Sequence, residues 1–537
     1  GPVNPESRGA IMLRSSNPSH PPRIYANYLG TEFDKETTIA GVKLMREVMA
    51  QKAFAGLVGR ELAPGADITT DAGLKAWLKQ AGGTPVALNG SGWSARSAHA
   101  AELRAQGMVS IPASSVHAVT VPGAIRAWAR LLDDFGTRSM ETLLQPAIKA
   151  AEDGYLVTER LARDWALQSD KMGTHAQARE LFFPSGRAPR LGERRTNPAL
   201  AKVLRSIAEA GADAFYEGWI AESTVRTLRH LGSALTLDDF ADFQPEYVEP
   251  ISVGYRGYRL WECPPNGQGV AALQMAGMLE RFDLARLGPL SAERFHLQGE
   301  ISRMAYSHRD AFICDPRFGP GLVDDLLSAS TLDRLLARFD PERRARGLPP
   351  AAVPEHKDTV FIAVADANGM LVSFINSLFD DFGSGIVAAG TGIVLHNRGC
   401  GFTLEAGHPN ELQGRKRPMH TIIPALLTKD NVGVSAFGVT GGHFQPAGQL
   451  QVLSNIVDYG MSVQQAIEHP RMFARGDSFE LERTVPDSVW SGLRSKGHEP
   501  VAAANPLGTC HAVWVDPATG IYFGGSDGRR DGLAHGF

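Results

Sequence analysis

The clearest pairing of apolar runs lies past the middle of the chain. In "DTVFIAVAD" (358–366) and "MLVSFINSLF" (370–379), β-branched and aromatic residues run on either side of Asp-Ala-Asn-Gly. That pattern predicts a β-hairpin with a tight turn. Other glycine-rich, strand-like segments are "PISVGYRGYRLWECPP", "GIVAAGTGIVLHN", "TIIPALLTKD", "VGVSAFGVTGG" and "CHAVWVDPATGIYFGG". Earlier stretches carry a helical period instead. In "TNPALAKVLRSIAEAG", Asn197 suits the cap and Pro198 the first turn, Leu200, Val203, Leu204 and Ile207 form a stripe, and Gly211 suits the stop. "VPGAIRAWARLLDDFG" and "LQPAIKAAEDG" follow the same rule. Helices dominate the first two thirds and strands the rest, which predicts a mixed α/β layered architecture.

The segment before the hairpin, "DPERRARGLPPAAVPEHKD", is rich in proline, arginine and charge and keeps no period, so it is expected to be a surface loop. Thr359 stands where loop becomes strand. A threonine there has two readings. It is a good strand residue. If the loop is cut before it, its hydroxyl and a new α-amine share one residue, and such an amine activates a weak hydroxyl nucleophile. Local sequence fits both.

Composition narrows the function classes. The 537 residues are 43% hydrophobic and 21% charged with net charge −4, an ordinary globular balance without a global basic field for nucleic acid or anionic lipid. The basic run Arg415-Lys-Arg417 is too short to change that. Cys263, Cys314, Cys400 and Cys510 are far apart and form no CxxC or Cys/His cluster, so no metal is expected. No apolar stretch reaches the length of a membrane span, and the first residues lack the order of a signal peptide. The expected location is cytoplasmic, or periplasmic if a leader has been removed. Gly90-Ser-Gly92-Trp-Ser-Ala95 matches a loose GxGxxA pattern, but no second Val/Ile-rich strand follows at the right spacing. A glycine turn leaving a strand explains it more simply, and no organic cofactor is expected.

The stretch 83–537 resembles the γ-glutamyltransferase family of N-terminal-nucleophile (Ntn) hydrolases, which are made as one precursor and cut themselves into two chains. The resemblance is carried by "PVALNGSG", "VPGAIRAWARLLDDFG", "YRGYRLWECPPNGQG", the hairpin with "GSGIVAAGTGIVLHNRG", "GRKRPMHTIIPAL", "GVTGGHFQPAGQ" and "GGSDGRRDGLAHGF". It implies a four-layer αββα sandwich and cleavage between Asp358 and Thr359. Thr359 would be the nucleophile, Ser377 its hydroxyl support, and Gly441 and Gly442 the oxyanion donors. Asn397, Arg398, His420, Thr421 and Gln445 match positions that line the substrate site.

Several departures bear on specificity. Members specific for γ-glutamyl substrates hold the α-carboxylate with an arginine where this chain has "NGSG". They hold the amine partly with an acidic residue after "NNQM", where this chain reads His396-Asn397-Arg398-Gly399-Cys400-Gly401. Met419-His420-Thr421 stands in place of paired serines, and Phe379 in place of a polar residue. Losing both halves of a zwitterion clamp lowers discrimination for a γ-glutamyl head. Arg398 and His420 would instead favour an acid or another acyl group, although Arg398 also fits a surface charge and His420 a core histidine. The pattern is similar to the acylase and oxamate-amidohydrolase-type branch. An autoprocessing amidohydrolase or acyltransferase is therefore expected, with a true γ-glutamyltransferase or glutathione hydrolase as the alternative.

Residues 3–79 resemble instead a C-terminal fragment of the glucose–methanol–choline (GMC) oxidoreductases, without that family's FAD-binding glycine motif. The expected division is 1–82 as this foreign segment, 83–358 as a large-chain region truncated at its start, and 359–537 as the small-chain region. An inactive chimera or a flavoprotein fragment is the further alternative. A sheet that has lost its first helices and a strand is expected to expose an apolar face or edge. Expected partners are a small-molecule amide, the two cleaved chains themselves and a second copy in a homodimer, with no nucleic acid and no membrane.

Overall fold

The computed structural model describes residues 10–12, 23–25, 32–50, 68–71, 73–74, 85–319, 321–348, 358–516 and 519–536. The junction loop 349–357 and most of the GMC-like stretch lie outside them. The chain divides into two units, one of residues 1–87 with 130–137 and one of 88–129 with 138–537. In the first unit, the helix Glu32–Met49 buries Ile39 against Leu74, with Val42 and Ile68 beside them.

Eight of the strands in the larger unit carry its site: β1 Ile251–Tyr255, β2 Tyr258–Glu262, β3 Asp358–Ala365, β4 Leu371–Phe379, β5 Ala425–Lys429, β6 Val432–Val439, β7 Cys510–Val515 and β8 Tyr522–Ser526. Six of them form one antiparallel sheet in the order β8-β7-β6-β5-β2-β1. The other two are the expected hairpin, with Asp366 Oδ1 accepting from the N–H groups of Asn368 and Met370 in its turn.

Three helices, α1 Gly269–Leu279, α2 Ala292–Phe312 and α3 Gln445–Val457, share the main core with the six-stranded sheet. Leu273, Met275, Leu297, Ile301, Met304, Leu450 and Leu453 pack there with Leu260, Leu427 and Val434. Every residue of α1 is buried, which is why its sequence shows no polar face.

The hairpin lies against β6. Leu371 covers Gly433, a Cβ on Gly438 would strike the Phe361 ring, and Ser373 Oγ donates to Phe437 O at 3.4 Å. Glycine at 433 and 438 lets the two layers approach. On the hairpin's other face Val360, Ile362 and Val364 are 59%, 47% and 45% exposed.

A second core, around Trp93, Val121, Ile148, Val203, Ile207, Tyr216 and Phe243, gathers the helical part of the chain. The helix Pro198–Ala210 has the expected ends: Asn197 Oδ1 accepts from Leu200 N at 3.1 Å, and Gly211 closes it at φ 76°. "GIVAAGTGIVLHN" corrects the reading of its pattern as strand. Gly385, Gly390 and Gly392 all hold positive φ, and only the bridge Val387–Val394 forms among the described residues. Its apolar residues are buried for another reason: Ile386, Ala388 and Leu395 join the helical core. The Gly90–Ala95 turn is a close backbone crossing, since a Cβ on Gly92 would collide with the Val121 carbonyl.

Candidate active site

Thr359 is the second residue of β3, and its position follows from strand register. Asp358 pairs with Phe379 and Val360 with Asn376, with a bulge between them that contains Ser377. Thr359 Oγ1 lies 3.4 Å from Ser377 Oγ, which accepts from the Phe379 backbone N–H at 2.8 Å. A bulge serine thus stands beside the threonine hydroxyl and is itself held by the backbone.

The seating of the hairpin decides what faces this pair. Leu371 lies over Gly433 near the start of β6 and Phe361 over Gly438 near its end. The Thr359 end of the hairpin therefore overlies the exit of β6, where the chain runs on through Gly441 and Gly442. These glycines hold φ 105° and 59°, the left-handed region that a side chain disfavours. A Cβ on Gly441 would also come within 3.0 Å of Gly508 Cα. Neither glycine N–H has a hydrogen-bond partner among the described residues.

Phe379 ties these parts together. The bulge forces it to φ 83°, and its buried ring lies edge-on to His443, centroids 6.4 Å apart. The Arg398 guanidinium sits 4.8 Å from its centroid. Arg398 is buried rather than a surface charge, donates Nη1 to Thr421 Oγ1 at 3.1 Å, and has no partner for Nη2 among the described residues. Burial pulls it down to about 9, so it remains charged at neutral pH. His420 accompanies it, Nδ1 3.1 Å from Ser91 Oγ and Nε2 buried without a partner among the described residues. Burial, then the nearby Arg398 charge, holds His420 well below the usual histidine range and therefore neutral.

The other residues read from the sequence divide between bracing and open valence. Asn397 is fully buried and spends its amide on the end of β4: Nδ2 donates to Asp380 Oδ2 at 2.8 Å and to Ala113 O at 3.0 Å, while Oδ1 accepts from Asp380 N. Gln445 Oε1 accepts from Ile423 N at 3.1 Å, and its Nε2 is buried without a partner among the described residues. Arg398 Nη2, His420 Nε2 and Gln445 Nε2 are thus buried nitrogens without a partner among the described residues, and buried polar groups left so are costly unless a ligand completes them.

The sequence reading missed Gln268, Tyr306 and Arg309, which lie behind the Gly441–Gly442 turn. Gln268 sits inside "CPPNGQG", a segment that carries the family resemblance but gives this residue no role. Arg309 had one visible sign: it belongs to a long helix that also carries Arg294 and Arg303 among apolar residues, and all three are buried.

Among the described residues one group of three could meet at a metal, His296, Glu300 and His498. It is a poor fit. His296 Nδ1 and His498 Nε2 are 2.7 Å apart, a hydrogen-bond separation, whereas two nitrogens on a tetrahedral zinc at ~2.0–2.1 Å each stand roughly 3.3 Å apart. Glu300 spends its oxygens on Arg303 Nη1 and Ala345 N.

Comparison with known proteins agrees with this geometry. The family described as Gamma-glutamyltranspeptidase matches residues 73–537. The chain belongs to the gamma-glutamyltranspeptidase family. A second family, GMC oxidoreductase, matches residues 5–91. Among curated relatives, the glutathione hydrolase-like YwrD proenzyme of Bacillus subtilis is 36% identical, over 80% of this chain and 83% of its own. The oxamate amidohydrolase proenzyme of Klebsiella pneumoniae is 32% identical, over 85% and 88%. The crystal structure of cephalosporin acylase from Bacillus halodurans superposes with a TM-score of 0.78 at 36% identity, covering 84% of each chain. As a gamma-glutamyltranspeptidase-family member the chain is an enzyme of the hydrolase and acyltransferase class, related to self-cleaving proenzymes, with the Ntn-hydrolase fold.

Proposed function

We propose that this chain cuts itself between Asp358 and Thr359 and then hydrolyses an amide whose acyl part carries an anionic or acceptor group rather than a γ-glutamyl head. The observation that carries the reading is the seating of Thr359: beside Ser377, at the end of a hairpin laid over the exit of β6 and the left-handed diglycine turn.

In the precursor, Thr359 Oγ attacks the Asp358 carbonyl carbon and the peptide C–N bond breaks, leaving an ester and a free α-amine on Thr359. Water then cleaves the ester and releases Asp358 as a carboxylate. The α-amine, with a reference pKa of roughly 7.7–8.0, takes the hydroxyl proton in the next cycle. Oγ attacks the substrate carbonyl, the Gly441 and Gly442 N–H groups meet the oxyanion, the amine leaves with the proton, and water hydrolyses the acyl-threonine ester.

The choice of acyl group rests on Arg398, His420 and Gln445. A buried cation with a spare donor beside a neutral imidazole favours an acceptor-rich, anionic group. Residues 396–401 contain no carboxylate to pair with a substrate ammonium. The oxamate amidohydrolase and cephalosporin acylase among the relatives act, by their names, on amides outside the γ-glutamyl class.

Intact mass and denaturing gels test the first half. The wild type is expected to give two fragments, the smaller beginning at Thr359, and Thr359→Ala a single chain. Release of nitroaniline from the 4-nitroanilides of oxalic, glutaric and acetic acids and of γ-glutamate tests the second. Faster turnover of an anionic acyl group is the expected result. Preference for the γ-glutamyl compound would transfer the assignment to glutathione hydrolysis or transfer.

A further inference from the structure

The turn proposed to hold the oxyanion is supported from behind by side chains that no catalytic motif marks. Gly441 O accepts from Phe444 N at 3.0 Å, and Gly442 O accepts from Gln268 Nε2 at 2.9 Å. The peptide plane before Gly442 is therefore held by backbone, and the plane after it by the Gln445 backbone N–H together with Gln268. The next carbonyl, of His443, accepts from the Tyr306 hydroxyl at 2.5 Å.

Gln268 Nε2 also donates to Thr421 O at 2.6 Å. A nitrogen that faces two carbonyls leaves the amide oxygen in need of a donor, and Arg309 Nη1 supplies one at 2.8 Å. Reversing the amide would set its oxygen against both carbonyls, so the guanidinium fixes its sense. The same Nη1 lies 2.8 Å from His443 Nδ1. A guanidinium nitrogen only donates, so Nδ1 accepts and the neutral ring carries its proton on Nε2. Arg309 is itself buried and anchored: Nε donates to Asp310 Oδ1 at 2.7 Å, and its guanidinium lies 4.6 Å from the Tyr306 ring centroid.

We infer that Arg309 is a positioning residue for the reaction, setting the Gly442 turn through Gln268 and His443. This inference rests on the proposed role of that turn. The reason for a second support is local. Gly442 has no side chain to restrict it and sits at positive φ, so a peptide released from Gln268 keeps only the Gln445 N–H on its carbonyl to fix its direction. An oxyanion donor works only when aimed at the position the oxyanion will take.

The test compares Arg309→Lys and Arg309→Met with wild type, using the 4-nitroanilide that the wild type cleaves fastest and counting only fully processed enzyme. Loss of an entire oxyanion donor costs about 10²–10³ in kcat, which bounds the effect of misaiming one. For Arg309→Met we expect kcat to fall roughly 10–100-fold with KM within about twofold, and Arg309→Lys to recover part of the loss. If the arginine variants do not fold, Gln268→Met, which leaves the guanidinium and its Asp310 partner in place, is expected to give the same split.

A kcat equal to wild type in folded, processed Arg309→Met or Gln268→Met overturns the inference and leaves the function standing. So does a rise in KM at unchanged kcat. A wild-type protein that neither cuts itself nor releases nitroaniline overturns the functional reading and this inference with it.

Discussion

Arg398 shows how a residue's role depends on its surroundings. In sequence it is a charge between Asn397 and Gly399. In the fold it is a buried guanidinium stacked on Phe379, with one nitrogen on Thr421 and another without a partner among the described residues. A hydrogen bond to a charged group contributes about 1.5–3 kcal/mol, or roughly 10–150-fold in an equilibrium constant. Arg398→Leu is therefore expected to raise KM for an anionic-acyl anilide by about that factor while changing the acetanilide analogue little. Steady-state kinetics on both compounds checks this. Equal losses on both would assign Arg398 to packing of the site rather than to recognition.

At the scale of elements, function depends on one contact between layers. The hairpin reaches its place because β6 carries glycine where Phe361 and Leu371 settle. Overpacking a fitted interface costs typically 1–3 kcal/mol. Gly438→Ala puts a methyl group into the Phe361 ring, lifting the Thr359 end of the hairpin from the exit of β6. The expected outcome is slower self-cleavage, read as the fraction processed after a fixed incubation, in a protein whose helical core still melts cooperatively. Normal processing would show that the register of hairpin on sheet is not what seats Thr359. The same hairpin presents Val360, Ile362 and Val364 outward. Its inner face is specified by packing, and its outer face meets no comparable constraint.

Across the whole molecule, buried and half-buried neutral histidines couple stability to pH. Burial, then the Arg398 charge, pulls His396 to about 4, and burial chiefly pulls His469 to about 4 and His498 to about 3. His420 lies well below its usual value for the same reasons as His396. Each is depressed in the folded chain, so below the ordinary value of 6.5 the unfolded chain binds protons that the folded chain does not. Folding stability is then full above pH 6.5 and is lost as pH falls towards 4. At 1.36 kcal/mol per unit, His396 alone accounts for about 3 kcal/mol by pH 4. Thermal melts are expected to be flat from pH 8 to 7 and to fall steadily from pH 6.5 to 4.5, with a shallower fall in His396→Gln. A pH-independent midpoint across that window would contradict it.

Local chemistry in the sequence determined the hairpin, the ends of the helix Pro198–Ala210, the strands around Leu260, Leu427 and Phe437, and Thr359 as a candidate nucleophile. These are short-range properties: turn residues, caps, periodicity and a hydroxyl at a loop-to-strand junction. Family motifs added Ser377 and the diglycine. Tertiary structure alone decided that "GIVAAGTGIVLHN" folds as glycine turns, since its apolar residues are buried by distant helices rather than by a sheet. It alone made Asn397 a brace and buried Arg398. It also brought Gln268, Arg309 and the Gly441–Gly442 turn together from three separated stretches of chain. A hydrogen-bond network among residues 41 to 174 positions apart leaves no period or spacing to read. Its geometry is set by how sheet and helices pack, and that packing exists only once the chain has folded.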